Sequence, residues 1–402
     1  MTPAREQDVW LAGVPAVARL FPPGTRRLTH RPGRSACLLV LPSPRSPRLL
    51  VPSDLATAGK MLRRHNTNRL QRFGQDVVAL ALWSRLLPLL PVARLVPAAG
   101  TPGPTIEEHV HQHVPAAAYV GVLLGPPRAN AKPVLRVFGA DGSTIAFGKV
   151  GHDALSGRLV RAESAVLEQL SGRTFTHLEV PRVIHTGTWH GLEVLLITPM
   201  QASVRRKTSW KLPLPAMKEL SSSDGLTAGP VAKSDYLAGL MDRVHASGPV
   251  GGVPAVLDAV RPLVENVVLD YGRWHGDWAP WNTGSTAGGR LQVWDWERSE
   301  ARVPVGFDAV HFLLQREFGE SLAPTHDAAS LLPEMTWALA ALGVHRDQVE
   351  ATIALYLVEI LQRYVADSDG TPTSALQHRL TTIRSLIATV SDKLSREFRA
   401  RA

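Results

Sequence analysis

The sequence predicts an α+β protein in which a small β-rich part precedes a mainly helical one, with a separate α/β unit appended in front. Three observations carry that expectation. Short β-like apolar runs crowd residues 116–197. From residue 233 onward, apolar side chains recur with the 3.6-residue period of helices. The segment Ala98 to Thr105, AAGTPGPT, breaks the composition between a first stretch and the rest. With 402 residues, 45% hydrophobic and 20% charged, the chain has material for two or three packed units and is too apolar to stay disordered.

Residues 1–105 form the appended unit, to which the sequence assigns no function. Within it Ala36 to Leu41 and Arg48 to Val51 read as strands joined by a Pro-Ser-Pro-Arg-Ser-Pro turn. Ser53 to Arg72 reads as a helix opened by a Ser-Asp cap, and a second helix from about Gln75 to Leu87 is stopped by prolines. Residues 106–200 form the β-rich part. Its start, Glu107 to His113, puts His109, His111 and His113 at alternate positions, on one face if the run is a strand. That alternation suits zinc, but no fourth ligand is identifiable, and an exposed histidine face is the commoner meaning.

Ala118 to Leu124, Val134 to Phe138 and Thr144 to Val150 then read as three strands, with Asp141-Gly142 turning between the last two. Ser156 to Leu170 is an amphipathic helix, and Val180 to Ile184 and Leu192 to Ile197 are two further strands. Residues 201–402 form the helical part. It opens on an irregular stretch, 201–232, holding Arg205-Arg206-Lys207 and suited to a substrate-side loop. Helical period follows over Lys233 to Ala246, Val253 to Leu269, Ser330 to Leu342, Asp347 to Ala366 and Ser374 to Phe398.

The chemistry concentrates between Trp274 and Glu297. His275-Gly276-Asp277 is followed five residues after the aspartate by Asn282, and thirteen residues later by Asp295 in an apolar run. An attacking hydroxyl must be oriented and relieved of its proton, which a carboxylate within hydrogen-bond reach does; that role falls to Asp277. Mg²⁺ prefers hard oxygen ligands, which Asn282 and Asp295 supply. The intervening Thr283 to Gly289 is turn chemistry, so a hairpin-like return brings Asn282 and Asp295 together.

This pattern resembles the aminoglycoside phosphotransferase and choline kinase family, small-molecule kinases whose histidine-glycine-aspartate loop is a relative of the protein-kinase catalytic loop. The resemblance implies a bilobal protein-kinase-like fold and an ATP- and Mg²⁺-dependent phosphotransferase acting on a hydroxyl of a small molecule. Asp277 then corresponds to the family's catalytic aspartate, and Asn282 and Asp295 to its metal ligands. Lys149 in AFGKVG stands at the position of the lysine that binds the nucleotide's α- and β-phosphates. Glu163 stands at that of its glutamate partner, with Glu168 the rival. Thr198 and Met200 lie where the family's main chain meets adenine. Asp308, in Pro304-Val305-Gly306-Phe307-Asp308, corresponds to a structural aspartate that holds the catalytic loop. The turn Gly125 to Lys132 lacks a Gly-x-Gly-x-x-Gly pattern, which leaves Arg128, Asn130 and Lys132 as candidates for the triphosphate by charge and hydrogen-bonding capacity alone.

Five tryptophans, Trp274, Trp278, Trp281, Trp294 and Trp296, crowd the motif; at least half are expected in the core, the rest free to stack on a sugar or hold a quaternary ammonium group. The acceptor is open among a sugar, an aminoglycoside-like molecule and another metabolite. Residues 1–115 hold 15 Lys and Arg against 6 Asp and Glu, a surplus equal to the chain's whole net charge of +9. Such a region could dock on an acidic partner, nucleic acid or an anionic membrane surface, but no nucleic-acid motif accompanies it, so a solvated basic surface is the plainer reading. The alternative function is a nucleotide-binding protein without transferase activity, docking a partner through that basic unit. The lone Cys37 sits in a strand-like run and excludes an intrachain disulfide. The Val77 to Val96 run is interrupted by Arg85, Pro88, Pro91 and Arg94, so no membrane span is expected, and no secretory signal is read at the N-terminus; both fit a cytoplasmic location.

Overall fold

A computed structural model describes residues 15–22, 24–30, 37–54, 57, 61, 92–98, 104–124, 131–200, 211–286, 288–320, 330–368 and 374–401. They divide into two compact units, Met1–Ser164 with Arg182–Pro199 and Ala165–Pro181 with Met200–Ala402. The α+β class holds, with strands concentrated in the first unit and helices in the second.

In chain order the first unit carries α1 (Pro15–Leu20), β1 (Arg26–Thr29), β2 (Leu38–Ser43), β3 (Ser46–Pro52), β4 (Arg94–Pro97), α2 (Ile106–His113), β5 (Tyr119–Leu123), β6 (Val134–Phe138), β7 (Thr144–Gly151) and most of α3 (Ala154–Leu170). After β8 (Leu178–Glu179), which belongs to the second unit, come β9 (Val183–Trp189) and β10 (Leu192–Ile197). Nine of these strands make one sheet in the order β1-β4-β2-β3-β5-β6-β7-β10-β9. Successive residues face opposite sides of a strand. Val40 and Leu50 accordingly join a cluster with Val17, Leu20, Ile106 and Val110 of α1 and α2. Leu39, Leu41, Leu49 and Val51 join Cys37, Met61 and Leu123 on the other side. Cover on both faces is why β2 reads as an unbroken apolar run.

The hairpin of β2 and β3 and the strands β5, β6, β7 and β10 form where the sequence predicts them. Asp141 closes the β6–β7 turn by accepting from Ser143 N at 2.8 Å, with Gly142 at φ +69°. Strands β1 and β4 were not anticipated. The Ala98–Thr105 break does not interrupt the sheet, because β3 pairs with β5 across it, Leu49 opposite Leu123 and Leu50 opposite Val122.

Glu107 to His113 is helical instead of extended. Thr105 and Glu108 form a capping box, Thr105 Oγ1 accepting from Glu108 N and Glu108 Oε2 from Thr105 N, which satisfies donors an uncapped helix would leave bare. The strand expected at Val180 to Ile184 instead runs Val183–Trp189, since Pro181 has no N–H to give a ladder. The helix expected from Gln75 to Leu87, most of that over Ser53 to Arg72, Arg128, Asn130 and Arg205-Arg206-Lys207 lie outside the described residues.

The second unit contains α4 (Leu214–Ser221), β11 (Thr227–Pro230), α5 (Asp235–Ala246), α6 (Val253–Val264), β12 (Val268–Trp274), β13 (Thr283–Ser285), β14 (Leu291–Val293), β15 (Glu300–Pro304), α7 (Phe307–Glu320), α8 (Leu331–Ala341), α9 (Val349–Ala366) and α10 (Ser374–Arg401). Residues 211–232 are therefore more regular than expected: Ala216, Met217 and Leu220 bury one face of α4. The helix expected to reach Leu269 stops at Val264, and the β-branched Val267-Val268 leads into β12, which pairs with β11 on one side and β15 on the other. Helix α9 is buried along almost its whole circumference and forms the centre of this unit. No helix among the described residues is long and apolar enough to cross a membrane.

Candidate active site

Strand β12 delivers the chain to His275-Gly276-Asp277, and the loop is held from below by Asp308 on α7. Its carboxylate accepts from His275 N at 2.7 Å and from Gly276 N at 3.1 Å. Gly276 sits at φ +82°, and a Cβ there would stand 2.1 Å from the carbonyl oxygen of Arg298, so only glycine fits. Arg363 of α9 donates to the Gly276 carbonyl and lies over the Trp274 ring at 5.1 Å. Burial raises the Asp308 carboxyl to about 7, against the two backbone N–H groups and Arg363, which favour its charged form.

Asp277 emerges from this clamp with its side chain 40% exposed, open to a second molecule. Both of its oxygens have neighbours. Asn282 Nδ2 donates to Oδ2 at 2.9 Å and to the Asp277 carbonyl at 3.0 Å. His311 Nε2 stands 3.4 Å from Oδ1, while its Nδ1 meets the Tyr356 hydroxyl at 2.9 Å. Burial lowers the His311 pKa and outweighs the pull of Asp277 toward the charged form. His311 Nε2 thus lies near the carboxylate without a hydrogen bond to it, and burial favours its neutral form.

The expected hairpin is present. β13 and β14 pair with Thr283 opposite Val293, and Trp294 N donates to Asn282 O at 3.2 Å. This register sets Asn282 beside Trp294, one residue before Asp295. Asp295 adopts φ +69°, a left-handed conformation that aspartate tolerates better than most residues and that is concentrated at functional sites. Asp277, Asn282 and Asp295 are thus joined through one hydrogen-bonded loop and hairpin, and all three lie in the second unit.

The first unit brings Lys149 and Glu163 together. Lys149 Nζ donates to both carboxylate oxygens of Glu163 at 2.7 Å, and the glutamate is fully buried. Glu163, and not Glu168, is therefore the partner. Helix α3 comes close enough because Gly151 faces Gly157: a Cβ at Gly151 would stand 2.4 Å from the Gly157 Cα. Thr198 N donates to Arg182 O at 2.9 Å, and Thr198 Oγ1 accepts from Arg182 N at 2.9 Å, so the Thr198 N–H is committed within the protein. Met200 is half-buried at the start of the second unit's main segment.

Of the tryptophans, Trp274, Trp278 and Trp296 are core, whereas Trp281 is 44% exposed over Gly319 and Trp294 is half-buried. Reading the residues singly missed His311, Tyr356 and Arg363. The signal for His311 was its spacing from Asp308: three residues apart on a helix, both side chains reach the same loop. Nothing local marks Tyr356 or Arg363, which arrive from a helix some eighty residues downstream.

No family model and no curated protein matches the chain. Among solved structures it is similar to a choline kinase from Streptococcus pneumoniae, at 16% identity over 71% of this chain and 98% of that one, with a TM-score of 0.47. It is similar to a thermostable mutant of an aminoglycoside phosphotransferase, at 13% identity over 70% and 98%, TM-score 0.49. A Plasmodium vivax ethanolamine kinase aligns at 9% identity over 74% and 93%, TM-score 0.46.

Proposed function

We propose that the protein is an ATP- and Mg²⁺-dependent phosphotransferase that moves the γ-phosphoryl group of a nucleoside triphosphate to an alcohol hydroxyl of a small molecule. The observation that carries this reading is the junction at Asp277: an exposed carboxylate with Asn282 donating to one oxygen and His311 near the other, on a loop clamped by Asp308. A carboxylate held in this way orients an incoming hydroxyl. As the acceptor oxygen bonds to the γ-phosphorus and the bond to the β,γ-bridging oxygen breaks, the hydroxyl proton passes to Asp277 and the nucleoside diphosphate leaves with the bridging oxygen.

Asn282 and Asp295 are the residues that would hold the magnesium ion, which supplies neutralisation of phosphate charge when bound. The donor types fit it: with its N–H given to Asp277 the Asn282 amide keeps its oxygen as a ligand, and Asp295 adds a carboxylate two residues beyond the last hairpin pair. Lys149, fixed by Glu163, offers its ammonium to the α- and β-phosphates. Near Thr198 and Met200 the main chain offers groups to adenine, with the Thr198 carbonyl and not its N–H as the contact at that residue. Trp281 and Trp294 are the aromatic faces available to a sugar, an aminoglycoside-like molecule or another metabolite.

The test is a metabolite-library phosphorylation screen with radiolabelled ATP, comparing the wild type with Asp277→Asn. Transfer to an acceptor should fall by about 10²–10⁴-fold in the variant while nucleotide affinity holds. Equal turnover in the two proteins removes Asp277 from the mechanism.

A further inference from the structure

A cluster of imidazoles that phosphoryl transfer does not use lies inside the first unit. His109 and His113, four residues apart, share one face of α2, and that face meets His185 of β9. Ring centroids of His109 and His113 are 4.7 Å apart, and those of His113 and His185 are 3.4 Å apart with nearly parallel planes. One ring nitrogen from each histidine lies within 4.8 Å of the other two.

The surroundings are built and not incidental. His109 is 8% exposed, and its Nε2, like that of His185, is buried with no hydrogen-bond partner. Buried polar atoms left unpaired cost stability, so two in one place point to a missing occupant. Trp189, four residues from His185 on the same strand, stacks on the His109 ring at 5.9 Å and closes the apolar side. Gly187 lies between them, and a Cβ there would come within 3.2 Å of His185 Nε2; the glycine leaves the imidazole its room.

We propose that His109, His113 and His185 form a binding site for one divalent transition-metal ion of the zinc type, with a fourth position open to water or another ligand. Imidazole suits Zn²⁺, Co²⁺, Ni²⁺ and Cu²⁺ and is a poor ligand for Mg²⁺, so this site is separate from the oxygen donors Asn282 and Asp295. Zinc–nitrogen bonds of about 2.0–2.1 Å bring ligand nitrogens closer than the present spacing. The half-buried His113 and His185 therefore swing out of their parallel stack so that their in-plane lone pairs converge. The ion ties α2 to the last strand of the sheet.

The test uses the full chain without an affinity tag, stripped by chelator and titrated with Co²⁺ in the presence of excess Mg²⁺. One Co²⁺ per chain should bind, with the visible absorption of a low-coordinate nitrogen site, and Zn²⁺ should displace it and raise the thermal midpoint. His113→Ala and His185→Ala should each weaken binding by more than about 100-fold, since removing even an outer partner of a ligand costs 10–100-fold. His111→Ala should bind as the wild type does, because its Nδ1 is engaged by the Glu107 carbonyl on a different face of α2. Circular dichroism of the metal-free variants separates lost ligation from lost folding, and the partly exposed His113 is the position where the fold survives replacement. Absence of stoichiometric Co²⁺ in the wild type, or its retention in folded His113→Ala, overturns the site.

Discussion

Asn282 donates one N–H to the carboxylate and another to the carbonyl of the same residue, Asp277, five positions earlier in the chain. The amide thereby fixes both the backbone and the side chain of the proposed base. Asn282→Ala should lower turnover by about 10²-fold or more, because a misplaced reacting group loses most of the advantage of orientation. Its effect on stability should stay within about 1–3 kcal/mol, the range for a severed buried hydrogen bond. Steady-state kinetics together with urea unfolding separate the two; an Asn282→Ala enzyme of normal kcat would show that Asp277 needs no such restraint.

The pair formed by Lys149 and Glu163 is almost wholly removed from water. Removing Glu163 takes two hydrogen bonds from a buried ammonium, so Glu163→Ala should destabilise the protein by about 2–5 kcal/mol. Replacing both with apolar residues, Lys149→Met with Glu163→Leu, should restore most of that loss while abolishing the contribution to nucleotide affinity proposed for the lysine. Denaturant midpoints and ATP-analogue titrations of the three proteins check it. A double variant as unstable as Glu163→Ala would mean that the pair's role is to shape packing and not to offset charge.

Asp295 holds a backbone conformation that glycine adopts without penalty. Asp295→Gly should therefore be more stable than Asp295→Val by about 1–3 kcal/mol, and both should lose transfer activity. Thermal melts of the two variants make the comparison. If glycine proved as damaging to stability as valine, the conformation would be supported by the carboxylate's own contacts.

Asp308 gives a pH signature. Its folded-state pKa is raised from 3.8 to about 7, chiefly by burial, so its contribution to stability is fully present below 3.8 and is lost as the pH rises through about 7. The stability of the wild type relative to Asp308→Asn, which cannot titrate, should decline between those limits and be flat on either side. Urea unfolding at a series of pH values measures the difference. A difference that does not vary with pH would show that the two backbone N–H groups hold the carboxyl in its ordinary range after all.

Much of the second unit's candidate site, as a piece of local geometry, could be read from the sequence because its parts are close in the chain. Five residues separate Asp277 from Asn282, and a glycine-rich turn sets the return to Asp295, so spacing and turn chemistry suffice to foresee the hairpin. Lys149 and Glu163 were legible only through resemblance; the choice between Glu163 and Glu168 needed the rotation of α3 against β7, which sequence period does not resolve at one-residue precision. The histidines were read in the wrong period. A strand would have aligned His109, His111 and His113, but the Thr105–Glu108 capping box sets a helix, which separates His111 and brings His185 from seventy residues away. Long-range partners of this kind, His185 and Arg363 among them, leave no trace in a local window.

The pairing of Leu49 and Leu50 with Leu123 and Val122 has a practical consequence for anyone who trims this protein. A chain begun after the Pro- and Gly-rich Ala98–Thr105 stretch, which invites cutting, would leave β5 with unsatisfied amides and carbonyls along one margin and an uncovered apolar face. An unprotected sheet margin recruits other chains. Such a fragment would be expected to self-associate, so β3 shields the margin of β5 from other chains.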